Sequence, residues 1–126
     1  MLNIDKNGNR RWFNEKGKLH REDGGPAVEM SDGSKYWWLN GNLHREDGPA
    51  VETDDGNKEW WFDDELHREN GPAVEYIDDT KRWCRHGKLH REDGPAIEMF
   101  NGKKYWYLNG ESYTEEAYKE KIGGVR

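Results

Sequence analysis

The segment Leu-His-Arg-Glu occurs four times, beginning at Leu19, Leu43, Leu66 and Leu89, so the sequence repeats every 23 or 24 residues. A fixed period of this length means that one small supersecondary unit is copied along the chain. Each copy continues through Asp or Asn, Gly, Pro, Ala, Val or Ile, and Glu. All four prolines, Pro26, Pro49, Pro72 and Pro95, stand in one slot. The first copy carries an extra glycine (Gly24-Gly25), which accounts for its longer spacing. Nine residues after each Val or Ile comes a tryptophan: Trp37, Trp60, Trp83 and Trp106, with Trp12 in the same place in an incomplete opening unit.

Between these landmarks lie turn dipeptides. Asn7-Gly8, Asp32-Gly33, Asp55-Gly56 and Asn101-Gly102 precede the tryptophans; Asn40-Gly41, His86-Gly87 and Asn109-Gly110 follow them. Such pairs supply the positive φ that tight hairpins need. The unit therefore reads as two short strands. Ala-Val-Glu forms the first, with Pro at its start, where a missing N–H is tolerated. Lys-x-Trp-aromatic forms the second, in residues suited to a pleated surface. Asp78-Asp79-Thr80 and Asp63-Asp64 lose the glycine of their turns, but Asp tolerates left-handed geometry and keeps them as turns.

The expected fold is an all-β repeat: an elongated single-sheet meander of about ten strands in five hairpin units, as one domain over residues 1–126. The units fall at about 1–18, 19–42, 43–65, 66–88 and 89–112. After Gly110 the pattern stops. Thr114 suits an N-cap, Glu115 and Glu116 a first turn, Lys119 and Lys121 a last one, and Gly123 a stop. A capping helix over 114–122 is expected to cover the last strand edge.

Composition alone points the other way. Leu, Ile, Val and Phe number 18 of 126 residues, charged residues make up 37%, and mean hydropathy is −1.34, values typical of disorder. Seven Trp and six Tyr at fixed spacing overrule that reading, because each aromatic buries a large area. The net charge of −6 gives no electrostatic basis for non-specific nucleic-acid binding. A single cysteine, Cys84, precludes an intrachain disulfide. The sequence shows no secretory signal pattern and no apolar stretch of membrane-spanning length, so a cytoplasmic location without membrane insertion is expected.

The order Trp38-Leu39-Asn40-Gly41-Asn42-Leu43-His44, with Tyr107-Leu108-Asn109-Gly110 as a second instance, resembles MORN repeats, which are also 23-residue hairpin units. The resemblance covers roughly residues 4–110. It departs where the MORN unit continues with His-Gly-x-Gly and this chain has His44-Arg45-Glu46-Asp47-Gly48-Pro49-Ala50. Leu-His-Arg-Glu-Asp-Gly-Pro-Ala arrays also look like those in phage and large-virus proteins, which implies a host cytoplasm. The MORN resemblance implies a twisted sheet used as a scaffold or binding surface, end-to-end dimers, and lipid headgroups as a ligand class. Trp37-Trp38-Leu39-Asn40-Gly41 is also similar to the choline-binding repeats of bacterial surface proteins.

The repeated His-Arg-Glu-Asp invites a metal reading that spacing argues against. With two strands per unit, equivalent residues lie roughly 10 Å apart, whereas two His sharing a zinc ion each need a nitrogen about 2 Å from it. No metal and no cofactor are expected. Catalysis calls for one asymmetric constellation in a pocket, and four near-identical copies form ladders. Cys84, in a column otherwise held by Phe13, Trp38, Trp61 and Tyr107, reads as a packing residue. His20, His44, His67 and His90 read as scaffold, bonding the adjacent turn, and Trp12, Trp37, Trp60, Trp83 and Trp106 as the packed stripe.

The expected binding face is the next position along each strand, pointing the opposite way. Its candidates are Tyr36, Trp38, Trp61, Tyr105 and Tyr107, with the ladder Arg45, Arg68 and Arg91 suited to an acidic partner. The function expected is a non-catalytic protein–protein interaction module, such as a small phage or viral protein that masks a host component. The alternative is a small-ligand binder for a nucleotide, glycan or choline-like cation, and lipid headgroups come third. An N-terminal edge strand near Ile4, lacking a cap, is the expected contact of a homodimer.

Overall fold

The computed structural model describes residues 1–123. The fold is all-β, an antiparallel meander of hairpin repeats that ends in one short helix, Glu115–Gly123. The chain divides into two compact units, Met1–Glu65 and the part beginning at Leu66, and the division falls between the repeats 43–65 and 66–88. In the first unit, Leu2–Ile4, Arg10–Trp12, Val28–Glu29, Lys35–Tyr36, Val51–Glu52 and Lys58–Glu59 pair in sequence order, each antiparallel to the next. In the second, Val74–Glu75, Lys81–Arg82, Ile97–Glu98, Lys104–Leu108 and Glu111–Tyr113 do the same.

The aromatic strand is not continuous in the full repeats. Lys35–Tyr36 ends before Trp37, and Trp38–Leu39 begins a second, smaller hairpin with Asn42–Leu43. Cys84–Arg85 and Lys88–Leu89 repeat this in the second unit. Trp37 is the handover residue: its N–H donates to Ala50 O at 2.7 Å, while its carbonyl accepts from His44 N at 3.0 Å. One peptide thus bonds forward to the next repeat and the other back to its own return strand. Each complete repeat therefore holds two hairpins, which is why the described residues form seventeen short strands where about ten were expected. Only the last repeat runs straight through, as Lys104–Leu108.

The turns follow their residues. Asn40 (φ 49°) and Gly41 (φ 87°) give the two successive left-handed residues of a primed turn. Asp63 (φ 47°) and Asp64 (φ 68°) adopt the same geometry without glycine, and Asp79 (φ 76°) stands where Gly33, Gly56 and Gly102 stand elsewhere. Asp is among the few non-glycine residues that enter this region readily; Asp78, before Asp79, accepts from Thr80 N at 2.9 Å, as Asp32 does from Ser34 N in the Gly33 turn.

The core is small-residue packing. Ala27, Ala50, Ala73 and Ala96 are completely buried, and Val28, Val51 and Val74 nearly so. Adjacent residues in these strands point to opposite faces. One row of cross-strand partners reads Val28, Tyr36, Val51 and Glu59, and in the second unit Val74, Arg82, Ile97 and Tyr105. The other row alternates in sign: Arg10, Glu29, Lys35, Glu52 and Lys58, then Glu75, Lys81, Glu98 and Lys104. Opposite charges directly across a pair are mildly stabilising, so this face neutralises itself.

Asp5 organises the first turn. Its carboxylate accepts from Asn9 Nδ2 and N, Arg11 Nη1 and Asn7 N at 2.9–3.1 Å. These donors, the Asn9 side-chain amide foremost, hold its pKa down to about 2, against an ordinary 3.8. A folded value below the unfolded one gives stability that is present above about pH 4 and lost as the pH falls toward 2. A carbon-detected titration of the Asp5 carboxyl is expected to show a midpoint near 2; a midpoint at the ordinary value would mean that the turn is not formed.

Candidate functional site

The Leu-His-Arg-Glu-Asp-Gly-Pro-Ala block is built from its own contacts. Each histidine lies against the small-hairpin turn at the far end of its own repeat. There His20, His44, His67 and His90 each accept a backbone N–H at Nδ1, from Asn40, Asp63, His86 and Asn109 at 2.9–3.0 Å. An Nδ1 that accepts cannot carry the proton, so the proton sits on Nε2. That nitrogen faces the glutamate two residues on: Glu46 at 3.3 Å, Glu69 at 2.7 Å, Glu92 at 2.9 Å and Glu22 at 3.7 Å. The His67 contact holds the Glu69 carboxyl below the usual range. Nitrogen-15 spectra are expected to show the Nε2–H tautomer at all four positions; the Nδ1–H form would contradict these bonds.

The arginines are equally committed. Arg45 donates from Nε to Asp47 at 3.0 Å and from Nη1 to Pro49 O at 3.0 Å and Glu52 at 3.2 Å, and its guanidinium lies 3.8 Å over the Trp37 ring. Arg21 and Arg91 repeat the arrangement on Trp12 and Trp83, and Arg21 lowers the pKa of Asp23. Arg68 keeps the Pro72 and Glu75 bonds, with Asn70 in the Asp slot. Cation–π stacking and forked ion pairing are what a planar guanidinium does best. Arg45, Arg68 and Arg91, read from the sequence as open to an acidic partner, are thus taken up within their own blocks.

The tryptophans tie block to block. Trp37 is 8% exposed and donates from Nε1 to Gly24 O at 3.1 Å, in the preceding block, while Arg45 of the following block covers its ring. Trp12, Trp60, Trp83 and Trp106 are half-buried. Trp106 instead meets Tyr118 of the helix, at 4.8 Å between ring centroids.

The aromatics expected on the binding face are placed separately. Tyr36 is half-buried between Val28 and Val51. Trp38 lies opposite Leu43, and Trp61 donates from its indole N–H to Glu59 at 2.7 Å. In the second unit Tyr105 is exposed opposite Ile97, and Tyr107 lies half-buried opposite Ser112. Cys84 is buried, and desolvation pushes its thiol pKa up. Among the described residues, His, Cys, Asp and Glu form no group of three placed to hold a metal ion, and no helix is long and apolar enough to cross a membrane.

Four further exposed apolar side chains are ones the sequence reading did not single out for binding. Leu39 and Phe62 lie beside the small-hairpin turns, and Ile77 and Phe100 at the tips of the larger hairpins. A signal was present: Ile77 and Phe100 occupy a column that holds Ser31 and Asp54 in other repeats. A cleft of about 310 Å³ opens in the first unit, lined among others by Trp37, Trp38, Leu39, His44, Arg45 and Asp47. Compared with known proteins, the chain matches no protein family, no curated protein and no solved structure.

Proposed function

We propose that the chain is a non-catalytic, MORN-like binding module for a protein partner. One observation carries this reading. The residues with chemistry to offer, His, Arg and the block carboxylates, bond one another, while large apolar side chains at hairpin turns face solvent. Exposed aromatic and aliphatic groups beside polar rims are what interfaces are made from. The likeness of its blocks to phage and large-virus arrays puts a host protein first among partners.

The test is affinity capture with the intact chain, followed by a titration of the recovered protein. Saturable one-to-one binding that weakens on substitution of exposed apolar residues supports the module. Recovery of nothing saturable, with heat of binding for choline, mononucleotides or short glycans instead, supports the ligand reading, which the cleft lined by Trp37 and Trp38 favours.

A further inference from the structure

The charge of the molecule is unevenly divided. Residues 1–65 carry nine Lys and Arg against fifteen Asp and Glu, whereas residues 66–126 carry eleven of each. The whole net charge of −6 therefore belongs to the first unit. The same unit holds the cleft over Trp37 and Trp38.

His44 is the hub of this surface. It lines the cleft with Trp38 and Leu39, its ring meets Phe62 at a tilt with centroids 4.3 Å apart, and it touches Glu46 and Asp63 at 3.3 Å each. Leu39 and Phe62 are 38% and 43% exposed. Around them stand carboxylates that are mostly in solvent: Glu46 at 76%, Asp47 at 86% and Asp63 at 70%. A carboxylate has about four acceptor sites, so one internal bond leaves the rest for a partner. The two cations that line the cleft do not reverse its sign. Arg21 is matched by Asp23 and Glu29, and Arg45 by Asp47 and Glu52.

We infer that this surface docks a basic, apolar-anchored segment of a protein partner: a leucine-sized or aromatic side chain entering beside Trp38, Leu39 and Phe62, flanked by Lys or Arg. Apolar contact supplies the holding energy, and the surrounding carboxylates select the sign and steer the approach. The inference rests on the module reading above and specifies which surface and which chemistry it uses.

The experiment is selection of a displayed library of random peptides, about twelve residues long, on the intact chain. Enriched peptides are expected to combine Lys or Arg with Leu, Phe or Trp, and to bind about tenfold more weakly at high salt than at low salt. Leu39→Glu should reduce their affinity about tenfold or more, since it places a charge in an apolar contact. Phe100→Glu, the same change of charge in the second unit, should leave it unaltered; thermal unfolding verifies that both variants are folded. Enrichment of acidic or uncharged peptides, no enrichment, or equal effects of the two variants would overturn the inference. So would light scattering that shows wild-type self-association abolished by Leu39→Glu, since the occupant would then be a second copy. A captured protein that binds Leu39→Glu and wild type alike sinks this surface and leaves the module standing. Failure to capture any protein sinks the module itself.

Discussion

Trp37→Ala is expected to lower the stability of the first unit by about 3–5 kcal/mol, the usual cost of truncating a large buried aromatic. The ring is 8% exposed, lies 3.8 Å beneath the Arg45 guanidinium and donates to Gly24 O. Its loss leaves a void, an unstacked cation and an unpaired carbonyl in one place. A domain of this size holds about 5–15 kcal/mol in total, so the variant should be partly unfolded at moderate temperature. Trp37→Phe keeps a ring under Arg45 and loses the indole N–H; a loss of about 1–2 kcal/mol is expected, that of one buried hydrogen bond with imperfect filling. Leu39→Ala, at an exposed position, should fall within about 0.5 kcal/mol of wild type. Urea unfolding followed by near-ultraviolet circular dichroism measures all three. Equal effects of Trp37→Ala and Leu39→Ala would mean that the tryptophan column is not packed.

The repeat was legible because its determinants are local. Pro and Ala hold one slot because the Ala column is buried without residual exposure, and a larger residue has no room there. The turns were legible even at Asp64 and Asp79, which take the left-handed geometry without glycine, as Asp tolerates better than most residues. The helix followed from Thr114, whose Oγ1 accepts from Ala117 N at 3.1 Å. The histidines were placed under the adjacent turns by the same logic, and there they lie.

Three features were not legible, for different reasons. The face assignment assumed strict alternation through Tyr36, Trp37 and Trp38, which holds only while one strand continues. Trp37 bonds two different strands through its two peptides, and the alternation stops there. The arginine ladder was read from charge alone. Its fate depends on a proline carbonyl and a tryptophan ring brought to it from either side, and spacing along the chain does not reveal that convergence. The exposed apolar residues were missed because their columns change residue type from repeat to repeat, and a search for recurring motifs does not weigh them.

Removing the Tyr118 side chain should release the C-terminal cap and expose the last strand. Tyr118 is 3% exposed, its hydroxyl donates to Arg91 O and accepts from Gly94 N, and its ring rests against Trp106. The helix has otherwise little with which to hold on: it is nine residues long, and Tyr118 is its buried residue. Helices this short are marginal by themselves. Tyr118→Ala is therefore expected to cost about 3–5 kcal/mol of local stability, and Tyr118→Phe about 1–3 kcal/mol, because two backbone groups lose their partner. Hydrogen exchange should localise the effect. Amides of the helix and of Glu111–Tyr113 should exchange faster, while those of Val28–Glu29 and Val51–Glu52 keep their protection. Alkali should act through the same atom, since burial pushes the phenol above its ordinary value of 10. With the folded value raised, the cap's contribution is complete below about pH 10 and declines as the pH rises beyond it. Tyr118→Phe should lose that decline, since it has no proton to give up. Protection of Glu111–Tyr113 that is indifferent to both substitutions would show that the helix is not what closes this edge.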